Sequence, residues 1–158
     1  MRISIKGGTK SQKKYVRSIT KFCVKKLMTR MDSLELNIRI RSFGKANEDC
    51  YGYCLATDDA DPARPREFNI DVNSKLKLRL LLETVAHELV HVKQFARGEL
   101  YQSSVTMKHR WQGKWYKRTP SYWNQPWEWE AAGREAGLFV QWCEAERIGH
   151  LKWTQENA

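Results

Sequence analysis

His87, Glu88 and His91 stand in the pattern H-E-x-x-H. On a helix the two histidines are one turn apart and share a face. Two imidazoles so placed can grip one Zn²⁺ from the same side. Glu88, one residue round, misses the metal yet can reach a water beside it. That is the position of a general base in metal-assisted hydrolysis. The neighbouring residues are apolar: Leu78, Leu80, Leu81, Leu82, Val85, Ala86, Leu89, Val90 and Val92. This pattern predicts a largely buried helix over roughly residues 75–97. A buried His/Glu cluster is costly unless partners or a metal satisfy it. One Zn²⁺ per chain is therefore expected.

A catalytic zinc takes three protein ligands and keeps one position open. The candidates for the third ligand are Glu128, Glu130, His109 and His150. Glu128 and Glu130 lie about 200° apart on a helix, so only one of them can face the metal. The glutamate left over is expected in an ion pair, for Glu130 with Arg134 at i, i+4. Candidates for stabilising an oxyanion are Tyr116, His109 and Arg110.

H-E-L-V-H at 87–91, followed by P-W-E-W-E-A-A-G-R-E at 126–135, resembles the phage-borne SprT-like zinc metallopeptidases. More broadly it is similar to the gluzincin-type zincins. The likeness spans about residues 75–145 and rests on those two stretches. It implies a zincin-like fold and peptide-bond hydrolysis by a zinc-activated water, with Glu88 as general base and a protein or peptide as substrate. It also implies a third ligand in an E-x-x-A pattern. Glu128-Trp129-Glu130-Ala131 matches that pattern, so Glu128 is expected ahead of Glu130 and His109. Two departures stand out. Cellular SprT-type proteases carry a third histidine in an H-G-x-x-W-like stretch, whereas His109-Arg110-Trp111 lacks the glycine. Many gluzincins follow the alanine with Asp or Asn, whereas this chain has Ala132, so a usual ligand-orienting partner is missing.

Several elements must position these groups. Residues 10–31 read as an amphipathic helix with Val16, Ile19, Cys23 and Leu27 in one stripe. Alternation predicts strands at 34–41, 50–56 and 66–72. Asp58 to Pro62 reads as a turn, and Asn73-Ser74 as the N-cap of the H-E-x-x-H helix. That helix should end near Gly98. Val105, Met107, His109 and Trp111 alternate, and Gln112-Gly113 could turn the chain back through Lys114-Trp115-Tyr116. Pro126 suits the first turn of a second helix, running to about Ile148 and ended by Gly149. All seven tryptophans follow residue 110 and are expected mostly in the core. Strand 66–72 is expected as the edge on which an extended peptide pairs.

The 158 residues are enough for one domain with its own core. The expected architecture is α+β and zincin-like. A small, mainly antiparallel sheet packs against an N-terminal helix and the H-E-x-x-H helix, and a second helix brings the third ligand. No apolar run has membrane-spanning length, and the N-terminus lacks the apolar core of a signal peptide. Neither a membrane nor secretion is expected. Cys23, Cys50, Cys54 and Cys143 form no C-x-x-C pair and are expected as reduced thiols of a cytoplasmic protein, in the host cytoplasm if the chain is viral.

The net charge is +10, and ten of the 28 Lys and Arg precede Asp32. No Asp or Glu does. Lys14, Arg17, Lys21 and Lys25 form one stripe of the first helix. Such a stripe opposes the helix dipole at its start and suits an anionic partner such as a nucleic-acid backbone. The alternative function is accordingly a non-catalytic or structural-zinc protein associated with DNA or RNA. The SprT resemblance implies a combination, a protease recruited to nucleic acid.

Overall fold

In the computed structural model, which describes residues 1–45, 49–57 and 61–156, the chain forms a mixed α+β structure. It begins with β1 (Arg2–Gly7), α1 (Lys10–Leu27), β2 (Glu35–Arg41), β3 (Gly52–Ala56) and β4 (Glu67–Asn73). Then come α2 (Leu78–Ala96), β5 (Leu100–Gln102), β6 (His109–Trp111) and β7 (Lys114–Trp115). A 3-10 turn (Tyr122–Asn124), α3 (Pro126–Ala145) and α4 (Lys152–Gln155) complete it. Residues 58–60 of the expected turn lie outside the described residues.

The main sheet has the order β1-β2-β4-β3. It is not mainly antiparallel: β1 and β4 both run parallel to β2, and β3 alone is antiparallel, to β4. Two causes are visible. Helix α1 carries the chain back along the sheet, as a crossover between parallel strands must. Strand β4 then inserts between β2 and β3 instead of following them in a meander. Asp71 fixes that insertion. It is fully buried, opposite Arg39 in the β2 register. It accepts hydrogen bonds from Arg39 Nε (2.6 Å) and Arg41 Nε (2.6 Å) of β2 and from the Tyr53 hydroxyl (2.7 Å) of β3. These partners hold its carboxyl below the usual range against the upward pull of burial.

Strand β4 is therefore central, and among the described residues the edge strand beside it is β3, not residues 66–72. Strand β3 turns Gly52, Cys54 and Ala56 inward and leaves Tyr53 and Leu55 exposed. Small inward residues let α2 approach closely. At Gly52 a Cβ would stand 2.7 Å from Thr84 Cγ2 and 3.1 Å from Glu88 Oε1. On the helix-covered side Leu36, Ile38 and Ile40 of β2 and Phe68, Ile70 and Val72 of β4 are buried, joined by Ile3 and Ile5 of β1. They pack with Val16, Ile19, Cys23 and Leu27 of α1 and Leu81, Leu82, Val85 and Leu89 of α2 in one core.

Helix α1 starts at a capping box. Thr9 Oγ1 accepts from the Gln12 amide, and Gln12 Oε1 accepts from the Thr9 amide. Helix α2 starts three residues later than Asn73-Ser74 suggests. Lys77 is its N-cap, and Asn73 Oδ1 accepts from the Lys75 amide in the preceding turn. At its other end the Gly98 and Glu99 amides close back onto Phe95 and Gln94 carbonyls.

The expected hairpin is present but shorter. Gln112 (φ 46°) and Gly113 (φ 82°) make a turn with both central residues left-handed, which matches the twist of the flanking strands. Val105 and Met107 do not extend β6. Ser103 Oγ accepts from the Thr106 amide, and Ser103 and Met107 bond in a tight turn that leaves both apolar side chains exposed. Helix α3 stops at Ala145, with Arg147 rather than Gly149 in the left-handed position. Of the tryptophans, Trp127 and Trp142 are buried, but Trp115, Trp123 and Trp129 are exposed. They sit on the hairpin, on the 3-10 turn and on the outer face of α3 rather than in the core. All four cysteines are free thiols. Among the described residues no helix is long and apolar enough to cross a membrane.

Candidate metal centre

Helix α2 presents His87 and His91 from one face, and α3 packs across it with Glu128 in its first turn. A carboxylate there is favoured by the positive end of the helix dipole. His87 Nε2 and His91 Nε2 are 3.2 Å apart. Glu128 Oε2 is 3.3 Å from the first, and Glu128 Oε1 is 3.3 Å from the second. Zinc bonds of about 2.0–2.1 Å at tetrahedral angles set ligand atoms roughly 3.3–3.4 Å apart. Each imidazole nitrogen thus has its own Glu128 oxygen at about that separation, and one ligand atom from each of the three residues lies within 4.8 Å of the others. Glu128 Oε2 is buried without a hydrogen bond of regular geometry, beside His87 Nε2, whose proton a cation at this point would replace. Among the described residues this is the one group of three close enough to bind a metal ion.

Two residues aim the imidazoles. Glu135 Oε2 lies 2.7 Å from His87 Nδ1. Gln94 Oε1 lies 2.8 Å from His91 Nδ1, while Gln94 Nε2 donates to the Trp127 carbonyl and to Glu130 Oε2. Because both amide hydrogens of Gln94 are committed, its oxygen must accept from His91 Nδ1. That leaves His91 Nε2 with a lone pair toward the cluster. Glu135, a carboxylate, imposes the same tautomer on His87. Removing such an orienting partner typically costs 10–100-fold in metal affinity. Glu135→Ala and Gln94→Ala should each weaken zinc binding by about that factor in a competitive chelator titration. Unchanged affinity in both would show that neither positions a ligand.

The remaining candidates fall elsewhere. Glu130 pairs with Lys93 (2.6 Å) and with Arg134 (3.1 Å), so the second glutamate forms the expected ion pair and a further one. His109 stacks on Trp127 with ring centroids 5.0 Å apart, and its Nδ1 meets Thr119 Oγ1 at 3.1 Å. It lines a hollow of about 270 Å³ over the cluster, together with Tyr122, Gly52 and Glu88. Tyr116 packs edge-on against Trp127, and Arg110 lies between the Tyr101 and Trp115 rings, so neither lines that hollow. Lys14, Arg17, Lys21 and Lys25 are exposed along α1, and Arg17 donates to the Ile3 carbonyl of the sheet edge. They take no part in the cluster.

Glu88 is almost fully buried between α2 and Gly52. Burial raises its carboxyl to about 7, against the opposing pull of His91 and His87. For His87 burial acts downward, but Glu128, Glu135 and Glu88 outweigh it and raise the imidazole to about 10. His91 is raised too, burial being outweighed by Glu128 and Glu88. Glu128 is held low despite burial, by His87 and His91. The sign for metal binding follows. A ligand imidazole must be neutral, so a metal ion binding here below pH 10 would have to displace a proton from the cluster. Zinc affinity should rise with pH through neutrality, by up to about tenfold per unit for each proton released. Titration calorimetry at pH 8 in two buffers of different ionisation enthalpy should report proton release. Identical heats would contradict it.

Gln94, Glu135, Tyr122 and Gly52 belong to the site without having been singled out by the H-E-x-x-H pattern. Glu135 had a signal, since it lies seven residues after Glu128 and on the same helical face. It supplies the orienting contact that Ala132 lacks. No protein-family model, curated protein or solved structure matches this chain.

Proposed function

We propose that the chain is a zinc-dependent peptidase or amidase of zincin-like build, akin to the SprT-like metallopeptidases. The observation that carries this reading is the His87–His91–Glu128 triangle at zinc-ligand spacing with the buried carboxylate of Glu88 beside it. Three protein ligands leave one position free, which suits catalysis better than a closed structural site. Zinc, when bound, supplies Lewis acidity to the scissile carbonyl and to the attacking water. Glu88, with its carboxyl near 7, takes the water proton at neutral pH and passes it to the leaving amine. Glu135 and Gln94 hold the imidazoles in place. His109, on the wall of the same hollow, is a side-chain donor for a developing oxyanion, whereas the Tyr122 side chain bonds to Glu128. An extended peptide pairs along the free edge of β3, which reaches the site at Gly52. The test is hydrolysis of an unfolded protein substrate by the zinc-loaded chain and by its Glu88→Gln variant.

The exposed basic stripe of α1 favours a second property, contact with nucleic acid. Four phosphate contacts through Lys14, Arg17, Lys21 and Lys25 would give duplex binding a log–log salt slope of about 0.9 per contact. Changing all four to Gln should flatten that slope and leave zinc content intact. Isotherms at low salt that are the same for both proteins would dispose of the nucleic-acid contact.

A further inference from the structure

A second hollow, of about 590 Å³, opens on the far side of His87 and Glu88 from the first. Its size is within the ordinary range of small-molecule sites. The two hollows share Gly52, His87, Glu88 and Tyr122, so they form one cleft running past the metal cluster. The far half is walled by Tyr51, Thr84, Tyr122, Trp123 and Ala132. Thr84 donates its hydroxyl to the Leu80 carbonyl and presents its methyl toward Gly52. Trp123 packs edge-on against Tyr122 at 5.0 Å, and its carbonyl accepts from the Trp129 indole. Trp123 is nevertheless 71% exposed and Tyr51 and Tyr122 about half exposed. Aromatic surface held in place and left open to water around a cleft is the mark of a binding site.

We propose that this half of the cleft selects substrates by a large apolar side chain, aromatic or branched aliphatic, next to the scissile bond. The proposal rests on the peptidase reading and names its substrate class. The lining decides between apolar and basic occupants. Glu135 is committed to His87 Nδ1 and Glu88 is almost fully buried, so among the described lining residues Asp49, at the rim, is the one exposed carboxylate. A cationic side chain drawn into the hollow would lose its hydration without a partner. An apolar one sheds water from its own surface and from Trp123 and Tyr122 together.

The zinc-loaded Glu88→Gln chain, which holds peptide without cutting it, is titrated with capped Gly/Ser hexapeptides carrying one central Phe, Leu, Ala or Lys. Phe and Leu should bind at least about tenfold tighter than Ala, and Lys no tighter than Ala. Ala132→Trp, added on an exposed position of α3, should fill the hollow and bring Phe and Ala within about threefold, with zinc content unchanged. Trp123→Ala should weaken Phe by about tenfold and leave Ala unaffected. Tightest binding of Lys, equal binding of all four peptides, no peptide binding, or a Phe preference that survives both substitutions would each overturn the proposal. Selective binding without hydrolysis by the wild type would support the hollow and refute the peptidase reading instead.

Discussion

Glu128→Ala should cost this chain roughly 10²–10³-fold in zinc affinity. The roughly 10–16 kcal/mol of protein-bound zinc, spread over about four ligands, is about 2.5–4 kcal/mol each. The substitution removes the α3 corner of the triangle and leaves His87 and His91 facing each other at 3.2 Å. Glu130→Ala is the control. Glu130 reaches the cluster only through Gln94, so its loss should cost at most about tenfold. A larger effect at Glu130 than at Glu128 would move the ligand two residues along α3, to a carboxylate that Lys93 and Arg134 already neutralise.

Glu88→Gln should lower kcat/KM for peptide hydrolysis by about 10²–10⁴-fold while the protein keeps its zinc. Glutamine has the volume of glutamate and fits the gap against Gly52, but it cannot accept the water proton. Glu88 is no member of the ligand triangle, so metal affinity should change little. The pH profile provides a second reading. Base catalysis needs the ionised carboxylate, which burial places near 7. Activity should therefore fall as pH drops through that region, and the small residual activity of Glu88→Gln should lose that limb. Hydrolysis undiminished in Glu88→Gln would remove the general base from the scheme.

How much of this was legible in the sequence depended on distance along the chain. H-E-x-x-H places three groups within five residues of one helix, where a fixed rise and turn decide their geometry. Alternation at 34–41 and 66–72 marks the inner strands for the same local reason. The sheet order was not legible, because it is set by Asp71 meeting Arg39, Arg41 and Tyr53 across 18 to 32 residues. Strand β1 carries a weak signal: in Arg2–Gly7 only Ile3 and Ile5 mark the inner face, and both are only partly buried. For the third ligand the sequence offered Glu128, Glu130, His109 and His150, with Glu128 ahead only through the E-x-x-A resemblance. Packing of α3 on α2 puts Glu128 on the histidines and Glu130 on Lys93. Gln94 and Glu135 acquire their roles through the same contact. The tryptophans misled because their size argues for burial, whereas three of them line surface.

X-ray absorption at the zinc edge, on protein loaded to saturation and freed of excess metal, tests the metal centre most directly. The account predicts one zinc per chain with nitrogen and oxygen neighbours at about 2.0–2.1 Å, including imidazole, and no sulfur shell near 2.3 Å. The signal should be absent from a His87→Ala, His91→Ala double variant. A sulfur shell, or stoichiometric zinc persisting in the double variant, would contradict it.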